Sequence, residues 1–60
     1  MSKRAVDTIF SATFILTDLR MLLRETAPTH QLDPRQREEA ARLLDNLERQ
    51  VASLKQELLK

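Results

Sequence analysis

The sequence predicts an all-α chain: an antiparallel helical hairpin that pairs with a second copy into a four-helix bundle. Three observations carry the prediction. The 60 residues contain no glycine and only two prolines, so turn-forming residues are scarce and long helices are favoured. Two long segments repeat apolar residues at helical rather than strand spacing. A single break, TAPTHQLDP (residues 26–34), separates them.

The first helix is expected from about Lys3 to Thr26. Pro28 disfavours helical geometry at Ala27 and so ends it. A loop over 27–33 follows. Asp33-Pro34 then starts the second helix, because Asp33 can cap with its carboxylate and Pro34 suits the first helical position. Gln36, three residues after Asp33, approximates a capping box. The second helix runs from Pro34 to about Leu59. At 1.5 Å per residue, each helix spans roughly 35–40 Å. Two helices of matched length with a short link form an antiparallel hairpin, and residues 1–60 read as one domain.

The second helix has one clean apolar stripe: Ala40, Leu44, Leu47, Val51, Leu54 and Leu58, at alternating spacings of four and three. Leu43 widens it. The far side carries Arg35, Glu38, Arg42, Asp45 and Arg49. Glu38–Arg42 and Asp45–Arg49 are acid-before-base pairs four residues apart, each expected to contribute a few tenths of a kcal/mol.

The first helix is apolar over much more of its circumference. Its main stripe is Ala5, Ile9, Ala12, Leu16, Leu19 and Leu23, flanked on one side by Ile15 and Leu22. A second stripe, Phe10, Phe14 and Met21, lies well round from the first. Only Asp7, Ser11, Asp18 and Glu25 form a plainly polar ridge. Such a helix expects neighbours on more than one side, and one partner helix covers only one.

Self-association follows. A chain this short is marginal without help from disulfides, a metal or oligomerisation. It has no cysteine and one histidine, which removes disulfides and argues against structural zinc. The expected dimer core is Ile9, Ala12, Leu16, Leu19, Leu23, Leu44, Leu47, Val51, Leu54 and Leu58.

The run IFSATFILTDLRMLL (9–23) is shorter than the roughly 20 apolar residues of a membrane span, and Asp18 and Arg20 interrupt it. Asp7 breaks the pattern of a signal peptide, and no A-x-A-like cleavage site follows. The cytoplasm is the expected location. The net charge of +1 gives no general attraction to nucleic acid or membrane.

Catalytic templates fail throughout. There is no Gly-rich phosphate loop and no nucleophile–base pair. A di-metal bundle site needs inward Glu and Glu-x-x-His, which neither stripe supplies. His30 sits in the predicted loop without a second ligand at suitable spacing. No enzymatic activity, cofactor or metal is expected.

Size and inferred architecture resemble the Rop-type repressor-of-primer proteins, helical hairpins that dimerise into a four-helix bundle and bind RNA. The resemblance rests on architecture and transfers no residue roles. The leading expectation is a small interaction module that binds itself and, through Phe10, Phe14 and Met21, a larger protein such as a transcription regulator. The alternatives are a nucleic-acid-binding dimer, using Arg35, Arg42 and Arg49 on one heptad row with Arg20 and Arg24 as a second basic pair, and a coiled-coil assembly domain of a larger complex.

Overall fold

In the computed structural model, which describes residues 2–29 and 31–59, two helices pack against each other: α1 (Lys3–Glu25) and α2 (Pro34–Leu58). Both bounds fall within a residue of the sequence expectation. His30 lies outside the described residues.

Local chemistry accounts for both ends of α1 and for the start of α2. Ser2 is extended, and its hydroxyl accepts from Ala5 N–H at 3.1 Å, capping α1. At the other end Thr26 closes the last turn, its hydroxyl donating to the Leu23 carbonyl at 2.7 Å. Asp33 and Gln36 form the expected reciprocal box. Gln36 N–H donates to Asp33 Oδ1 at 2.8 Å, and Asp33 N–H donates to Gln36 Oε1 at 2.9 Å. Two otherwise unpartnered backbone donors are satisfied, and Pro34 occupies the first helical position.

The molecule is a rod, 42 × 15 × 13 Å, with a radius of gyration of 13.8 Å. A compact chain of this length would have a radius near 10 Å. One pair of helices side by side offers a single line of contact and no enclosed centre. Among the described residues the buried ones are accordingly few: Ala5, Thr8, Ile15, Leu22 and Thr26. No residue of α2 is fully buried.

This seam follows a strict heptad. In α1 it takes Ala5, Thr8, Ala12, Ile15, Leu19, Leu22 and Thr26; in α2, Gln36, Ala40, Leu43, Leu47, Gln50, Leu54 and Glu57. Labelled in the usual way, Ala5, Ala12, Leu19, Ala40, Leu47 and Leu54 are a positions, and Thr8, Ile15, Leu22, Leu43, Gln50 and Glu57 are d positions. Alanines let the helices approach, and the buried hydroxyls bond within their own helix. Thr8 donates to the Arg4 carbonyl at 2.7 Å. Among the described residues no buried side-chain polar atom lacks a partner.

The seam ranks the α1 residues differently from the sequence. Ile15 and Leu22, expected as a flank, are among the most buried in the chain. Ile9, Leu16 and Leu23, expected on the main stripe, stand 41, 54 and 52% exposed. The periodicity defines a wide apolar arc, but not which part of that arc the in-chain partner takes.

Candidate functional site

The exposed aliphatic residues are ordered. Ile9, Leu16 and Leu23 are seven residues apart on α1. Leu44, Val51 and Leu58, 44–49% exposed, are seven apart on α2. Each row immediately follows the seam's own rows, Thr8, Ile15 and Leu22 in α1 and Leu43, Gln50 and Glu57 in α2. The six residues therefore all occupy heptad position e.

Helix geometry places both rows on the same side of the rod. Residues advance in the same rotational sense along each helix, but the helices run in opposite directions. Viewed down a single axis, position e lies clockwise of the seam in one helix and anticlockwise in the other. With the seams facing each other, these turns converge on one side. That side is apolar along the rod except at the loop end, where the exposed Arg37 takes the e position in the first turn of α2.

The opposite side holds the g positions: Arg4, Ser11, Asp18 and Glu25 from α1, and Glu39, Asn46 and Ser53 from α2. None is aliphatic. A cleft of about 340 Å³ on that side is lined by Asp18, Met21, Leu22, Glu25 and Glu39, which places the two g rows together. The rod thus has one apolar and one polar flank, with its in-chain seam between them.

Beside the apolar flank, α2 carries a shallow cleft of about 480 Å³, lined by Leu44, Leu47, Glu48, Val51, Ala52 and Lys55. Sequence reading put Leu44, Leu47 and Val51 on one stripe. It gave no sign that α2 would leave an open apolar hollow there.

Phe10, Phe14 and Met21 are 61, 69 and 60% exposed, on the outward half of α1. The structure brings Phe14 and Met21 onto one heptad row, with Phe10 beside them. Thr13 and Thr17, between this stripe and the apolar flank, donate their hydroxyls to the Ile9 and Thr13 carbonyls at 2.9 and 3.0 Å. Part of their hydrogen-bonding capacity is thus turned inward, so this sector is less polar than its sequence suggests.

Arg35, Arg42 and Arg49 lie exposed along one heptad row of α2. The ion pairs expected for Arg42 and Arg49 do not form. Among the described residues the only ion pair is Arg4 with Glu57, at 3.6 Å. Exposed pairs gain little in water and must immobilise two long side chains, so Glu38–Arg42 and Asp45–Arg49 stay apart. Glu57, whose side chain is 15% exposed, also accepts from the Ser2 hydroxyl at 3.2 Å and ties the chain's two ends together. Nothing in the sequence marks Glu57 for this role, because its partners lie at the far end of the chain.

Among the described residues no group of three or more His, Cys, Asp or Glu converges to hold a metal ion. No described helix is long and apolar enough to cross a membrane. No known protein family, characterised protein or solved structure matches the chain.

Proposed function

We propose that this chain is a non-enzymatic protein-interaction module. It pairs with a second copy through its apolar flank to form a four-helix bundle, and displays Phe10, Phe14 and Met21 outward to a larger protein. The observation that carries the reading is the direction of the apolar stripes. In both helices the main stripe consists of a and e residues, with Ile15, Leu22 and Leu43 beside it at d, whereas the in-chain seam consists of a and d residues. At 100° per residue the midpoints of these two sets differ by about 50°. In a square bundle of four helices, the central axis lies about 45° from the direction of either neighbour. Each helix therefore aims its apolar stripe where the axis of such a bundle would run, rather than at its in-chain partner.

The exposed area agrees. The chain presents 5045 Å² to solvent. A compact monomer of 7.0 kDa would present about 4,000 Å². The excess, about 1,000 Å², is comparable to the roughly 800 Å² that each partner buries in a standard protein interface. Sedimentation equilibrium tests the reading, with twice the 7.0 kDa chain mass expected at micromolar concentration. A folded, helical monomer under those conditions would refute it.

One observation favours a second reading. Arg35, Arg42 and Arg49 are exposed on a single row and make no ion pair among the described residues. A dimer carrying two such rows would suit phosphate contacts. Replacing all three with Gln separates the readings: retention on RNA or duplex DNA that steepens with falling salt, and is lost in the variant, belongs to this second reading alone.

A further inference from the structure

The Phe10–Phe14–Met21 stripe remains uncovered in the proposed bundle. On α1 these residues lie roughly 120–180° around from the a/e midpoint that faces the bundle axis. A dimer would carry two such stripes, one on each α1. A role for this stripe rests on the chain being a protein-interaction module, whichever face dimerises.

The two borders of the stripe differ in charge. Towards α2, Met21 and Leu22 form the apolar part of the 340 Å³ cleft, and Asp18, Glu25 and Glu39 supply three carboxylates from both helices. None of the three is within ion-pairing distance of a described lysine or arginine. Asp7 stands on the same row as Phe14 and Met21, one heptad before Phe14. On the other border, Arg20 and Arg24 line a smaller cleft with Thr17 and Met21. The acidic border is a wall shared by two helices, whereas the basic one sits on α1 alone.

We infer that this surface takes an amphipathic helix of a protein partner, with an apolar stripe bordered by arginine or lysine. The apolar patch from Phe10 to Met21 extends about 16 Å along α1, the length of three helical turns. Two or three apolar side chains of a helix laid along it would cover Phe10, Phe14 and Met21, the flexible Met21 adjusting to their shape. A basic side chain next to that stripe would lay its methylenes over Met21 and Leu22. Its charged head would then reach Asp18, Glu25 and Glu39. A nucleic acid would bring phosphate against the same carboxylates and be repelled.

The probe is a fluorescently labelled 18-residue synthetic peptide, helical, with leucines at helical spacing and arginines along one border. Its control carries glutamates in place of the arginines. Both are titrated by fluorescence anisotropy against the intact protein, and the oligomeric state of every variant is measured by sedimentation. The arginine peptide is expected to bind at least tenfold more tightly than the control. Asp18→Asn/Glu25→Gln/Glu39→Gln should erase that preference, and Phe14→Ser/Met21→Ser should weaken the arginine peptide at least tenfold, both with the dimer intact. Equal binding of the two peptides, or full affinity in Phe14→Ser/Met21→Ser, would overturn the inference. So would a labelled RNA hairpin whose binding is lost in that same variant. A monomer on sedimentation with the peptide preference intact would instead count against the bundle and leave this surface standing.

Discussion

The seam inside the hairpin and the flank beside it contrast in an unexpected direction. The seam, where the two helices cover each other, sets Ala5, Thr8, Ala12, Gln36, Ala40, Gln50 and Glu57 among six large aliphatics, Ile15, Leu19, Leu22, Leu43, Leu47 and Leu54. The flank, which the chain leaves open, is built from Ile9, Leu16, Leu23, Leu44, Val51 and Leu58. Fully burying one such side chain contributes about 1.5–3 kcal/mol. A sequence that places as many large aliphatics beside its own contact surface as within it has the makings of a second contact. In the proposed dimer the hairpin is half of a folding unit, and its two surfaces serve different contacts.

The largest expected effect comes from charging the flank. Leu16→Glu or Val51→Glu would place a carboxylate at the centre of the proposed bundle, against the facing copy. The predicted loss exceeds about 4 kcal/mol, from desolvating a charge in addition to losing an aliphatic contact. Both variants should sediment as monomers and lose most of their helical circular dichroism at micromolar concentration. The unaltered chain should melt at a higher temperature when its concentration is raised tenfold, because association stabilises the folded form by mass action. If Leu16→Glu stayed as helical as the parent while monomeric, the hairpin would be self-sufficient and the contrast would lose its meaning.

A smaller effect is expected inside the seam. Leu22 is 4% exposed, and Leu22→Ala should cost about 2–4 kcal/mol by leaving a cavity. The variant should unfold at lower urea while keeping its dimeric mass in the folded fraction. The flank and seam substitutions therefore differ in kind as well as in size: one abolishes association, the other weakens the unit that associates.

Much of this architecture was legible in the sequence because local chemistry dictates it. Asp33, Pro34 and Gln36 mark the start of α2 through groups within three residues of one another, and the observed bonds are the expected ones. Pro28 ends α1 for an equally local reason. The assignment of Ile15 and Leu22 to the seam, and of Ile9, Leu16 and Leu23 to the flank, was not legible. Periodicity reports that an arc is apolar; which neighbour takes which sector depends on how two helices rotate against each other. The polar seam residues were hidden for a related reason. Thr8, Gln50 and Glu57 do not stand out among apolar positions, although all three fall on the same seven-residue repeat as their apolar neighbours. Glu57 is the extreme case, since its partners Ser2 and Arg4 lie at the start of the other helix, Ser2 being 55 residues away in sequence.

The cap separates stability from assembly. Asp33→Ala removes the acceptor of Gln36 N–H, a 2.8 Å bond at the start of α2. A cost of about 1 kcal/mol is expected, typical of losing a capping side chain. Thermal unfolding should shift by a few degrees and the sedimentation mass should stay the same. A change in mass would mean that the loop end of the hairpin joins the interface, and that the apolar flank is not the whole of it.

The smallest expected effect on stability is at Phe14, and it is the most discriminating. Phe14 and Leu16 are both large, apolar and more than half exposed in the hairpin, so solvent exposure alone cannot separate them. Their positions in the heptad can: Leu16 adjoins the seam on the apolar flank, whereas Phe14 points away from it. Leu16→Ser should therefore weaken the dimer clearly, while Phe14→Ser should change the unfolding free energy by no more than about 0.5 kcal/mol, as for an ordinary surface substitution. Chemical denaturation of both variants at matched concentration makes the comparison. Were Phe14→Ser as destabilising as Leu16→Ser, the outward stripe would itself be a self-contact, and the bundle would extend around both sides of α1.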